Sequence, residues 1–229
     1  MEKEMKHRDV YLQIKDMIQY GWFAPNGKIN QLQLAKQLKV SRTPIAMALY
    51  MLKAEGYLDQ KHNSGFYVHR VTLKEVQELL LARASLESAA VYDIAENADA
   101  ETLEQISNVF YHLEAQEQAD NQDSRMNFLK ADQQFHKTLL QSCKNSWVMR
   151  INENIKILEH PNALGTLRRP EEVLAEHRQV LQAILKKDAP AAQMAMFKHI
   201  LHTRTIVMEA AKNMEDLGMD ASKLFQVQP

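Results

Sequence analysis

The stretch KVSRTPIAMAL, Lys39 to Leu49, decides the fold. Ser41 is a natural N-cap, because a serine hydroxyl can accept from the free N–H groups of a first helical turn. Pro44 follows early enough in the helix that its missing N–H removes no internal bond. Ile45, Ala48, Leu49 and Leu52 then recur at helical spacing, and Gly56 closes the run.

Working outward, Val10, Ile14, Met17 and Ile18 predict an earlier helix that stops at Gly21, before the turn-forming APNG. QLQLAKQL predicts a short second helix with Leu34, Ala35 and Leu38 on one side, ending at Lys39 and Val40. Beyond Gly56, the β-prone YL and FYV are joined by DQKHNSG, which suits a hairpin loop. Three helices and a β-hairpin wing make a winged helix-turn-helix over residues 1–71. Its third helix would enter the major groove by its N-terminal end, so Ser41, Arg42 and Thr43 are candidate DNA-binding residues. The Arg42 guanidinium can bridge O6 and N7 of guanine, and Thr43 can bond a phosphate or touch a thymine methyl. The competing reading of Arg42 is a solvated charge at a helix start.

The chain has 229 residues, 45% of them hydrophobic, enough for one large or two modest domains with a real core. No apolar run approaches a membrane span, so a soluble cytoplasmic protein is expected. The lone cysteine, Cys143, lies beside Leu139 and Leu140 and reads as a buried inert thiol. Residues 1–70 carry 11 Lys and Arg against 6 Asp and Glu, and the rest carry 17 against 23. A basic first third on an acidic remainder suits a nucleic-acid-facing module, although chains that touch no nucleic acid also show such a split.

From residue 72 onward the only glycines are Gly165 and Gly218, and helical periods dominate. Helices are expected near 73–97, 100–118, 124–143, 146–158, 170–187 and 190–213, with Asp99, Ser124 and Asp188 as caps. The fold class is therefore mainly α: the winged unit, then an all-helical bundle of six or seven helices over 72–214, then a tail over 215–229. HPNALGTLRRP is the one long irregular connection.

In DQQFH, Asp132 and His136 are four apart, so a helix puts both on one face. His177 and His199 lie on two further helices, flanked by apolar residues. One aspartate and three histidines suit a divalent metal ion, zinc first, with nickel, manganese or iron as alternatives. The plainer reading makes each histidine a core residue with one satisfied hydrogen bond. Arg83 falls in the apolar stripe of Val76, Leu79, Leu80, Leu86 and Ala90, so it should point inward and need an anion. Glu87, four residues later, is one such anion and a ligand carboxylate is the other.

The segment INQLQLAKQLKVSRTPIAMALYMLKAEGYLDQKHNSGFYV resembles the DNA-binding domain of the GntR family of bacterial transcription regulators, over residues 8 to 70. VSRTP carries the likeness most firmly. The chain departs from the family pattern at Ala46 and Met47, where Arg-Glu is usual, at Lys39, where many members have Gly, and at Leu32, which aligns with a DNA-contacting position. His62, at the wing tip, aligns with a minor-groove contact. LARASLESAA, ADQQFHKTLLQSCKN and EHRQVLQAILKKDAPAAQMAMFKHI resemble the FCD ligand-binding domain of the FadR subfamily. That resemblance implies metal ligands at Asp132, His136, His177 and His199, and Arg83 as the contact for a small organic or sugar acid. It also implies a homodimer on double-stranded operator DNA, acting as a repressor relieved by its ligand, and no enzyme. His202 is expected at the surface, and His112 and His160 in solvent.

Two alternatives follow from the same residues. Open metal positions could serve a metal-dependent hydrolase or lyase, although nothing obvious supplies its general base. Ala46 and Met47 could also mark a family fold with lost or altered DNA binding.

Overall fold

The computed structural model describes residues 7–19, 21–61, 65–117, 124–155, 168–221 and 224. It divides into two compact units at the Val71–Thr72 boundary. In the first, α1 (His7–Gln19), α2 (Gln31–Gln37) and α3 (Arg42–Ala54) precede the strands β1 (Leu58–Lys61) and β2 (Gly65–Val68). The strands pair antiparallel with Leu58 opposite Val68 and Lys61 opposite Gly65. The stripes expected from the sequence form one core: Val10, Ile14, Met17 and Ile18 from α1, Leu34 and Ala35 from α2, and Ile45, Ala48, Leu49 and Leu52 from α3. Tyr57, Leu58, Phe66 and Val68 seal it from the wing side.

Local chemistry sets the boundaries. Asn30 caps α2, its Oδ1 accepting from the backbone N–H groups of Leu32 and Gln33 at 3.1 Å each. The α2–α3 turn passes through Lys39 at φ 54°, the left-handed conformation that glycine adopts most easily. Ser41 occupies the N-cap position of α3, but its hydroxyl makes no capping hydrogen bond. Pro44 stands at the third helical position and has no N–H to offer, which removes one of the two donors an N-cap side chain normally takes.

The second unit holds α4 (Leu73–Asn97), α5 (Ala100–Glu117), α6 (Ser124–Ser142), α7 (Ser146–Ile155), α8 (Pro170–Leu185) and α9 (Ala189–Asp216). α4 starts with a capping box in which Thr72 and Glu75 exchange hydrogen bonds, and Asp188 caps α9 through the Ala191 N–H. Asp99 accepts from the Thr102 N–H at the start of α5, whereas Ser124 opens α6 as its first helical residue. α4 packs against α6, α8 and α9, and α5 against α6 and α8. Helices α6, α7, α8 and α9 thus pack around α4, whose Val76, Leu80, Ala84, Ala90, Val91 and Ile94 are buried.

Asp93 on α4 accepts from the backbone N–H groups of Lys144 and Asn145, at 2.7 and 3.2 Å, and so pins the α6–α7 turn. Cys143 is buried beside it, and burial pushes its thiol up to about 11, as an inert thiol requires. Among the described residues no helix is long and apolar enough to cross a membrane.

Candidate metal centre and nucleic-acid interface

Three of the four expected metal ligands meet inside the bundle. His136 on α6, His177 on α8 and His199 on α9 are buried, with ligand atoms within 4.8 Å of one another. The Nε2 atom of His177 lies 3.2 Å from His136 Nε2 and 3.1 Å from His199 Nε2. Helical spacing buries each imidazole: His177 lies among Val173, Leu174, Val180 and Leu181, and His199 beside Met196 and Ile200.

Carboxylates hold two of the rings from behind. Glu87 Oε2 is 2.5 Å from His136 Nδ1, and Glu176 Oε2 is 2.7 Å from His199 Nδ1. A neutral imidazole has one N–H, so these contacts place the proton on Nδ1 and leave a bare lone pair on each Nε2. Both lone pairs face His177 Nε2, which can donate to only one of them. Burial first, and then electrostatic repulsion of an added proton by His199, His136 and Arg168, lower the pKa of His177 well below the usual 6.5, and burial likewise lowers His199. Both therefore stay neutral at pH 7, the form that binds metal.

Asp132 lies at the edge of the cluster. Its Oδ1 is 4.0 Å from His136 Nε2 and 3.6 Å from His177 Nδ1. Asp132 Oδ1 and His177 Nδ1 are both buried without a hydrogen-bond partner. Unpaired buried polar atoms are costly, and a cation drawn in by the lone pairs would give the Asp132 oxygen a partner. The donor set of three imidazoles and one carboxylate suits a divalent ion such as zinc.

The carboxylates extend the site. Glu87 is fully buried and takes Arg83 Nε on its other oxygen at 2.8 Å. Burial would raise its pKa, but Arg83 and His136 outweigh that and lower it to about 2. Arg83 is therefore paired with Glu87 in this structure. Glu176 Oε1 accepts from Arg168 Nη2 at 2.7 Å and lies 2.7 Å from His202 Nδ1. Its burial is likewise outweighed, by the hydrogen bonds from His199, His202 and Arg168, and its pKa is lowered to about 2.

Glu87, Glu176 and Arg168 are the functional residues that sequence reasoning passed over or under-read. Glu87 was legible only as a partner for Arg83. Glu176 adjoins His177 and so points away from it on α8, reaching α9 instead. Arg168 belongs to the irregular LGTLRRP stretch, where no periodicity says which arginine turns inward. His202 is exposed, its side chain 47% accessible, and His112 is exposed on α5. His160 lies outside the described residues.

On the first unit, Ser41, Arg42 and Thr43 are all exposed at the open end of α3, as a groove-entering helix requires. His62 lies outside the described residues.

Two family profiles match the chain. Residues 6–68 match the bacterial regulatory proteins of the gntR family, and residues 78–202 match the FCD domain. The chain belongs to the GntR family of bacterial transcription regulators and carries an FCD domain.

It is 33% identical over 196 residues to the uncharacterized HTH-type transcriptional regulator YdhC of Bacillus subtilis, covering 84% of this chain and 86% of that protein. It is 28% identical to the Uxu operon transcriptional regulator of Escherichia coli, over 93% of this chain and 91% of that one. In fold it resembles E. coli McbR/YncC, with a TM-score of 0.69 at 21% identity over 89% of this chain and 97% of the other. These families and relatives are transcriptional regulators, so this GntR protein is a regulator and the hydrolase or lyase alternative is set aside.

Proposed function

We propose that this GntR protein is a metal-containing, ligand-responsive repressor. Residues 1–71 bind operator DNA through Ser41, Arg42, Thr43 and His62. Residues 72–214 hold a divalent ion, zinc first, on Asp132, His136, His177 and His199. The observation that carries this reading is the convergence of three buried Nε2 atoms, two of them stripped of protons by carboxylates on the far side of the ring. Tautomer control of this kind is how proteins prepare imidazole for metal.

Bound there, the ion supplies positive charge and open positions for an anion. Arg83 supplies the second half of an anion site. Its Nε is committed to Glu87, which leaves the planar end of the guanidinium for a ligand carboxylate of a small organic or sugar acid. The relatives named as operon regulators support control of a gene set, and a cytoplasmic homodimer on a pseudo-palindromic operator fits the helix-turn-helix.

The test has three arms on the full chain. Elemental analysis of purified and zinc-reloaded protein should find about one ion per chain. Thermal-shift screening with organic and sugar acids should show stabilisation that a chelator abolishes. Gel shifts against the promoter of the adjacent genes should show binding that the stabilising acid releases. No bound metal in either preparation refutes the metal centre, and no specific shift refutes the operator reading.

A further inference from the structure

We propose that α3 selects its operator through the C5-methyl groups of thymine, read by Met47 and Tyr50 next to the single guanidinium of Arg42. This rests on the operator-binding reading above and says what that operator contains.

The buried side of α3 is Ile45, Ala48, Leu49 and Leu52. At 100° per residue, the direction opposite that stripe is held by Thr43, Met47 and Tyr50, one below the other at spacings of four and three. Ala46 lies beside them, half-buried. Met47 and Tyr50 are 48% and 54% exposed. Beyond its first turn, the face that a helix-turn-helix turns toward DNA therefore carries a thioether and a phenol ring and no charged group. Lys53, further along, directs its Nζ to Gln60 Oε1 at 3.0 Å, toward the wing strand.

Major-groove edges offer hydrogen-bond donors and acceptors at every base pair, but only thymine offers an apolar group. An apolar surface, such as the methyl end of Met47 or the carbon edge of the Tyr50 ring, that is pressed on guanine, adenine or cytosine leaves a base edge unpaired and dry. Pressed on a thymine methyl, it buries apolar surface on both sides. Met47 suits this, being flexible and polarisable. Tyr50 is already oriented, its ring edge-on to Phe66 of β2 with centroids 5.1 Å apart. Ala46 leaves room at the position between Arg42 and Met47. The half-site expected is thus a guanine met by Arg42, with T·A pairs at the neighbouring steps met by Met47 and Tyr50.

DNA is the occupant because this face is continuous with Arg42 and Thr43 at the tip of the same helix. The helix also belongs to the segment that matches the gntR family, residues 6–68, and residues 1–70 are the basic part of the chain.

The experiment is in-vitro selection of randomised duplex by the full-length protein, followed by single replacement of each selected thymine with deoxyuridine. That replacement removes one methyl and leaves every hydrogen-bonding atom in place. The expected result is a selected half-site with thymines beside a guanine, and a loss of about fourfold in affinity per methyl removed, the worth of one buried methyl-sized group. In the Met47→Ala protein at least one of these losses should vanish. A selected site whose affinity ignores uracil, or whose positions beside the guanine carry no thymine, overturns the inference while leaving operator binding intact. A pool that yields no enriched sequence overturns operator binding itself, and the methyl reading with it; the exposed face then belongs to a protein contact.

Discussion

Glu87 Oε2 stands 2.5 Å from His136 Nδ1 at a position with no solvent exposure, and its other oxygen holds Arg83. One carboxylate therefore touches a proposed metal-ligand histidine and the proposed anion contact at once. An anion that captures the Arg83 guanidinium changes the charge Glu87 sees, and Glu87 sets the tautomer and basicity of His136. The proposed ligand and the proposed ion would share this residue, which gives them a physical route to bind cooperatively.

Glu87→Gln keeps the shape and an amide oxygen for the His136 N–H but removes the charge. Metal affinity, measured by competition with a chromogenic chelator, should fall about 10- to 100-fold with the helical content unchanged. Unchanged affinity would show that Glu87 serves the Arg83 ion pair alone.

Arg42→Ala should lose about 1–3 kcal/mol of specific binding per half-site, because one bidentate base contact is worth that much and no other arginine lies in α3. Binding in a salt-matched gel shift is the measurement, with circular dichroism to show an intact fold. Near-normal binding would refute base reading through Arg42.

How much of this was legible beforehand follows from periodicity. The stripes of α1, α3 and α4 repeat every three or four residues, so the core and the inward placement of His136, His177 and His199 could be read from spacing. The Ser41 capping bond could not. Pro44, three residues on, supplies the helix-start signal and at the same time deletes one of the two donors the cap would use. The pairing of Glu176 with His199 and His202 was equally hidden, because it joins α8 to α9 across 23 and 26 residues through a rotation that sequence spacing does not specify. Arg168 enters from a connection without a repeat.

Lys39 is in the left-handed region at φ 54°, where a side chain costs about 1–2 kcal/mol relative to glycine. Glycine partly offsets that gain by widening the unfolded ensemble. Lys39→Gly should therefore stabilise the first unit by about 0.5–1 kcal/mol, and Lys39→Val should destabilise it. The chain has two tryptophans, so Trp22 fluorescence in a Trp147→Phe background reports urea unfolding of that unit. A lower midpoint for Lys39→Gly would refute the strain.

The buried histidines predict how metal-free protein responds to acid. His177 and His199 have folded pKa values lowered below 6.5, through burial first and, for His177, neighbouring charge second. Above 6.5 both the folded and unfolded forms are neutral at these sites, and stability is independent of pH on their account. Below 6.5 the unfolded chain takes up protons that the folded cluster refuses, so stability falls as pH drops toward the folded values. Glu87 and Glu176, lowered to about 2, remain ionised down to pH 5.5 and do not mask the effect. In chelator-treated protein the urea midpoint of the helical unit should fall between pH 7.5 and 5.5. His177→Gln should reduce the slope, because one of the protons refused is its own. Added zinc should raise the midpoint most at pH 7.5, since protons and metal compete for the same lone pairs. A midpoint that is flat across this range without metal would show that the imidazoles are not held neutral by burial.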